Sequence, residues 1–231
     1  MAATPATPAQ PAPAPPTNPP ALGTAPAQAV SKEAFRIFNT LLRHLVKDEG
    51  LTTEGAGLVL EASISKVVEM VEAEAVTVFG RKSDGIYFEK IYYAPSLYSK
   101  ERGEEFFQNL KKTLVGMKLN APNSIVQKVV STGQAYYCAD TRDDPNYDAS
   151  TAKKTGFETR SMVTVPIIDQ GTVLGAIQVL NKAGGKLFSQ RDRDLVQEVA
   201  AYSATLIHKY LKPDLALDDV QTARYISQIT G

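Results

Sequence analysis

Residues Thr155–Asp192 read TGFETRSMVTVPIIDQGTVLGAIQVLNKAGGKLFSQRD. Two β-branched runs, Met162–Ile168 and Thr172–Leu180, flank the tight turn Asp169-Gln170-Gly171 and predict a β-hairpin. Asn181-Lys182 closes the second strand, and Gly184-Gly185 lets the chain leave the sheet before Phe188 re-enters the core. Ser189 caps a long helix, with Asp192 three residues later in the place of a capping-box acid. Lys182 and Asp192 flank the glycine loop. An ion pair between them would tie strand to helix, and at an exposed position it would contribute only ~0–1 kcal/mol. Gln178 stands out as a polar residue between Ala176 and Leu180 in an otherwise apolar strand. A buried polar group needs partners, which makes Gln178 a candidate ligand contact.

The last helix carries one stripe of Leu195, Val199, Tyr202, Leu206 and Tyr210 and a second of Val196, Ser203 and Ile207. Upstream, a helix is expected from about Thr53 to Ala73, with Leu58, Ala62, Ser65, Val68 and Val71 along one stripe. Strands follow over Ala75–Phe79 and Ile86–Tyr93, joined at Ser83-Asp84-Gly85. Ser96–Leu114 is charged and helix-prone, a short amphipathic helix or a flap. A strand is expected over Val115–Leu119, a helix from Asn123 or Ser124 to Ser131 with Gly133 as its stop, and a short strand over Ala135–Cys138. Asp140–Ala149 reads as a polar loop before a short helix that ends at Gly156. The order helix, helix, strands, helices, strands, helix fits an α+β fold. Its core is a mixed, mostly antiparallel sheet, with terminal helices on one face and a loop-and-helix layer on the other.

Residues 1–30 hold no charge and little to bury, only Ala, Pro, Thr and Gln in quantity. Ordering them would cost ~1–2 kcal/mol per residue with no core to offset it. A disordered tail is expected, then an N-terminal helix over 31–49 opening at Ser31, the main domain over 50–211, and an extension over 212–231 with a short helix at Asp218–Ile229. The first and last helices together offer a seam for a homodimer, since twofold pairing is the commonest assembly.

Lysine plus arginine equals aspartate plus glutamate, at 25 each among 231 residues. That balance argues against nucleic-acid partners. No apolar run approaches the ~20 residues of a membrane span, and no secretory leader is visible. A lone Cys138 forms no intrachain disulfide, and a cytoplasmic protein is the simplest expectation. The two histidines, His44 and His208, sit on separate helices, and no zinc-type cluster is visible, so no catalytic or metal residue is assigned. Cys138 reads as a small buried hydrophobe. Asp140, Asp143, Asp144 and Asp148 lack EF-hand spacing and read as turn and cap residues.

Taken together, these residues resemble a GAF domain over roughly Gly50–Leu211. Ser131-Thr132-Gly133-Gln134 looks like the family's "TGQ" entry to a strand. Asp140 through Pro145 with Thr155–Ser161 is similar to its "DP…TGF.TR" stretch. Asn181, Lys182, Phe188 and Asp192 resemble the NK…F…D signature of the cyclic-nucleotide-binding GAF domains of phosphodiesterases and adenylyl cyclases. The resemblance implies a GAF/PAS-like sensor with no cofactor of its own and a pocket lined by Ile125, Val126, Tyr147, Thr155, Thr159 and Gln178. A cyclic nucleotide leads as the candidate ligand, with Thr155 and Thr159 matching the threonines that hold it. Gln178 stands where a family member may place a glutamate toward the base. Arg193, Ala152 and Asn123-Ser124 depart from the nucleotide-binding pattern. GAF-like sulfoxide reductases use several cysteines, which Cys138 alone does not supply. A bilin photoreceptor would carry a histidine where Ala139 stands. The expectation is a non-enzymatic sensor with an unidentified effector protein on another chain. The alternative is a ligand-free scaffold for dimerisation or docking, which a filled pocket would favour and a cavity of ~300 Å³ or more would oppose.

Overall fold

The computed structural model describes residues 36, 52–98 and 102–207. The expected tail, the rest of the 31–49 helix, both histidines and the extension over 212–231 lie outside the described residues. Along the described chain run α1 (Thr53–Met70), β1 (Ala73–Lys82), β2 (Gly85–Tyr93), α2 (Gly103–Leu114), α3 (Ile125–Thr132), β3 (Tyr136–Cys138), α4 (Ser150–Thr155), β4 (Met162–Asp169), β5 (Thr172–Lys182) and α5 (Gln190–Leu206).

The five strands form one sheet in the order β2-β1-β5-β4-β3, with every pairing antiparallel. The β4–β5 hairpin turns through Gln170 and Gly171, both at positive φ (46° and 82°), as the right-handed twist of the strands requires. Strand alternation divides the core in two. Val76, Val78, Val163, Val165, Ile177 and Val179 face α1 and α5. Ala75, Phe79, Phe88, Ile91, Met162 and Ala176 face the opposite side, under α2 and α3.

Helix α1 departs from its expected stripe. Leu58 is 63% exposed, and the buried face is Ala56, Leu60, Ile64, Val67, Val68 and Val71. Val68 and Val71 of the expected stripe are buried, but Leu58 and Ala62 are exposed and Leu60 and Ile64 take their place, because the helix packs on α5 as well as on the sheet. Of the two expected stripes of α5, Leu195, Val196, Val199, Ser203, Leu206 and Ile207 are buried and Tyr202 is partly buried, while Tyr210 lies outside the described residues. Its wide apolar arc is therefore filled within the chain, between α1 and β4. The capping box at Ser189 and Asp192 forms as expected.

Val115–Leu119 forms no strand. The segment runs beside β2 through Gly116 N–H to Phe88 O at 2.7 Å, Phe88 N–H to Met117 O at 3.0 Å and Leu119 N–H to Ile86 O at 2.7 Å, with one isolated bridge at Tyr87 and Lys118. Gly116, at φ 85°, breaks the extended course, and Val115 and Met117 point to solvent.

Candidate functional site

The face of the sheet opposite α1 and α5 carries a cavity, roofed by α3, α4 and the end of α2. Ile125 and Val126 reach it because Ser124 caps α3, accepting from the Gln127 N–H at 3.2 Å, and so sets the first helical turn over the sheet. Tyr147 comes from the loop before α4, Thr155 from the end of α4, Thr159 from the segment after it, and Gln178 from the floor. All six residues singled out in the sequence thus meet at one site.

The floor holds a polar row that the sequence did not reveal. Gln178 lies in register with Thr77 on β1 and Thr164 on β4, both buried. The Gln178 amide donates to Thr164 Oγ1 at 3.0 Å and to Met162 Sδ at 3.3 Å, which leaves its carbonyl oxygen as the acceptor for an incoming donor. Each threonine alone looks like an ordinary strand former; only strand register brings them beside Gln178.

In the roof, the expected threonines are engaged with their own segment. Thr155 Oγ1 donates to Thr151 O at 2.9 Å and accepts from the Phe157 N–H at 3.2 Å, closing α4. The Thr159 carbonyl accepts from Thr141 Oγ1 at 2.7 Å, and its side chain is paired with Tyr147. Asp148 also lines the cavity, accepting from the Ser150 N–H at 2.8 Å. The enclosed volume is about 80 Å³. Small-molecule pockets run to ~300–1,000 Å³, so the cavity as folded is too small for a drug-sized molecule.

Beside the roof, the aspartates act as turn residues: Asp140 accepts from the Arg142 N–H at 3.0 Å and Asp144 from the Asn146 N–H at 2.8 Å. Burial alone would raise the Asp144 carboxyl. Bonds from the Asn146 backbone, the Cys138 thiol and the Tyr136 hydroxyl outweigh it and hold the carboxyl below its usual range. Burial, then the bond to Asp144, pushes the Cys138 thiol up to about 12. Cys138 is a neutral buried group, as expected from its neighbours. Among the described residues, no cluster of His, Cys, Asp or Glu could hold a metal ion.

The four signature residues stand apart from the cavity. Asn181, buried and at φ 58°, accepts on Oδ1 from Arg160 N–H at 2.7 Å and Ser161 N–H at 3.3 Å. Its Nδ2 donates to Glu158 O at 2.8 Å and Glu74 Oε2 at 2.9 Å. The side chain thereby brackets the segment after α4 onto β1 and β5. Lys182 Nζ meets Asp192 Oδ2 at 3.0 Å and Val71 O at 2.8 Å, with the two side chains only 11% and 12% exposed. The pair is therefore buried rather than a surface bridge. Phe188 lies in the helix-side core at 2% exposure. Arg193 stacks over the Tyr137 ring at 4.5 Å, away from the cavity, so its departure from the family pattern does not touch a ligand there.

A GAF domain family model matches residues 57–207, more than half of the chain. The chain belongs to the GAF domain family. Among curated proteins, a probable 3',5'-cyclic phosphodiesterase of Caenorhabditis elegans is 28% identical over 92 residues, which is 40% of this chain and 12% of that protein. A dual 3',5'-cyclic-AMP and -GMP phosphodiesterase of Takifugu rubripes is 32% identical over 93 residues, again 40% of this chain and 10% of that protein. The matches thus span a small fraction of either relative. Of solved structures, the GAF domain of a phosphoenolpyruvate-protein phosphotransferase from Coxiella burnetii superposes with a TM-score of 0.57 at 17% identity, covering 76% of this chain and 92% of that one. A type II free methionine-R-sulfoxide reductase from Thermoplasma acidophilum gives 0.51 at 17% identity, covering 68% and 96%. These likenesses concern the fold. The GAF fold here is a regulatory, sensor-type fold, and among the described residues no helix is long and apolar enough to cross a membrane.

Proposed function

We propose that this GAF domain is a non-enzymatic sensor that takes a small molecule into the cavity over Gln178, with a cyclic nucleotide as the leading ligand. The observation that carries the reading is the convergence of Ile125, Val126, Tyr147, Thr155, Thr159 and Gln178 on one cavity with a polar floor. Gln178 offers a carbonyl acceptor to a purine edge, and its amide could exchange Thr164 for a ligand acceptor. Two curated relatives named as cyclic-nucleotide phosphodiesterases support the choice of ligand class. Against an enzyme of the sulfoxide-reductase kind stands the single thiol of Cys138, buried and held protonated.

At about 80 Å³ the folded cavity is too small for a nucleotide. Binding therefore selects a second state in which α4 and the 140–149 loop swing outward, and the ligand acts through its differential affinity for that state. The proposal extends to a cytoplasmic homodimer that passes this change through its terminal helices to a separate effector protein. Calorimetry and thermal shift with cyclic GMP and cyclic AMP test it. At a ligand concentration 100 times Kd, stabilisation of about 2.7 kcal/mol is expected. No heat and no shift at millimolar ligand would remove the cyclic nucleotides.

A second reading, a ligand-free scaffold, draws on the same small volume and on the internal engagement of Thr155 and Thr159. Native mass spectrometry of the purified protein separates the two, since it reports both subunit count and any retained small molecule.

A further inference from the structure

A second and larger hollow lies outside the sensor cavity. It is an open groove between the start of α2 and the segment after α4, with a volume of about 520 Å³, and shares only Phe157 with the smaller cavity. Its size falls within the ~300–1,000 Å³ of small-molecule sites without any rearrangement. Leu97, Phe106, Phe107 and Phe157 give it an apolar wall. Phe107, 6% exposed, packs edge-on behind Phe106 with centroids 5.2 Å apart and behind Phe157 at 6.5 Å, so the half-buried rings of Phe106 and Phe157 are the preformed aromatic surface of the wall.

The charges at the rim are unequal in their freedom. Arg160 is already shared between buried Glu74 at 2.6 Å and exposed Glu158 at 3.8 Å. Arg102 lies over the Phe106 ring at 4.7 Å, with no carboxylate partner among the described residues. Its guanidinium rests against Gly156, where an added methyl group would meet Nη1 at 2.5 Å. Arg102 is thus placed at the mouth by a ring and a glycine, with its hydrogen-bonding fork unspent among the described residues. At Gly184 and Gly185 no side chain narrows the far wall.

From this arrangement we infer that the cleft is a second ligand site, for a small organic monoanion with a flat apolar body, an arylcarboxylate in chemical class. The carboxylate takes the fork of Arg102, and the ring lies against Phe106 and Phe157. Glu158 at the rim disfavours a dianion such as a phosphate ester. The inference is independent of what the cavity over Gln178 binds.

Indole-3-acetate is a suitable probe, and indole-3-acetamide is its neutral counterpart. In amide nitrogen–proton spectra of the full chain, indole-3-acetate at millimolar concentration is expected to shift Gly156, Gly184 and Gly185, whereas Gln178 stays in place. Arg102→Gln, an exposed substitution, is expected to weaken binding tenfold or more while leaving the spectrum of the free protein unchanged elsewhere, and Phe106→Ala is expected to weaken it as well. The amide analogue is expected to bind at least tenfold more weakly than the acid. No shifts, shifts centred on Gln178 and Thr159, equal binding of acid and amide, or full affinity in Arg102→Gln would each overturn the assignment.

Discussion

Asp192 serves two neighbours at once. It accepts from the Ser189 N–H at 2.7 Å and the Ser189 hydroxyl at 2.9 Å, and it faces Lys182 Nζ at 3.0 Å. Burial alone would raise its carboxyl; those bonds outweigh it and hold the folded value below the usual range. A depressed folded value means that the contribution is complete above the unfolded pKa near ~3.9 and is lost as pH falls through the folded one. Asp192→Asn leaves Lys182 charged in a buried site and is expected to cost about 3 kcal/mol at pH 7, within the range for a broken buried pair. Guanidinium titrations of both proteins check this, and the gap between them is expected to narrow below pH 4. Asn181 makes a comparable demand through hydrogen bonds alone. Asn181→Ala strands several buried partners and puts alanine, which tolerates the left-handed region less well than asparagine, at φ 58°, for an expected loss of about 4 kcal/mol. Asn181→Gly keeps the backbone at ease and is expected to recover about 1 kcal/mol of that loss. Equal losses in both variants would assign the whole effect to the side chain.

At the scale of elements, two close approaches decide how the layers meet. Where β5 passes β1, a Cβ built on Gly175 would stand 1.9 Å from the Phe79 carbonyl oxygen, backbone that has no room to yield. Gly175→Ala is expected to destabilise by about 3 kcal/mol or more in a denaturant titration, beyond ordinary overpacking. On the roof, α4 is only six residues long and depends on the Thr155 hydroxyl for its closure. Thr155→Val, of equal shape, is expected to cost about 1 kcal/mol and to speed amide exchange at Phe157. These elements differ in how plainly the sequence announced them. The β4–β5 hairpin, the α3 cap and the capping box of α5 rest on local chemistry and were legible from neighbouring residues. The face of α1 was not, because Leu58 and Leu60 both fit a helical stripe and only contact with α5 selects Leu60. Val115–Leu119 reads as a strand by composition, yet it is tied to β2 by scattered bonds around Gly116. In the site, Ile125, Val126, Tyr147, Thr155 and Thr159 follow from the family pattern and Gln178 also from its polarity in an apolar strand, whereas Thr77 and Thr164 require the register of three strands.

Across the whole molecule, the sheet separates a firm side from a yielding one. Lys182, Phe188 and Asp192 reinforce the join between sheet, α5 and the chain end of α1, and Asn181 pins the segment after α4 to β1. The cavity, by contrast, lies under α4 and the 140–149 loop, whose hydrogen bonds run mostly within their own short segment. Such a division suits a sensor, since the roof can open without loosening the scaffold formed by the sheet with α1 and α5. It also predicts two classes of amide exchange. Val76, Val78, Val163 and Val179 in the central strands, with Val67 and Val199 in the helices, are expected to exchange only through global unfolding. Amides of Asp144–Gly156 are expected to exchange through local opening, at a free energy several kcal/mol lower. Saturating cyclic GMP is expected to slow the first class through its stabilisation of the fold, about 2.7 kcal/mol at 100 times Kd, and to slow Asp144–Gly156 less, because the roof has swung outward in the bound state. Uniform slowing of both classes would mean that ligand stabilises the fold as one unit, and the separate movement of the roof would then be wrong.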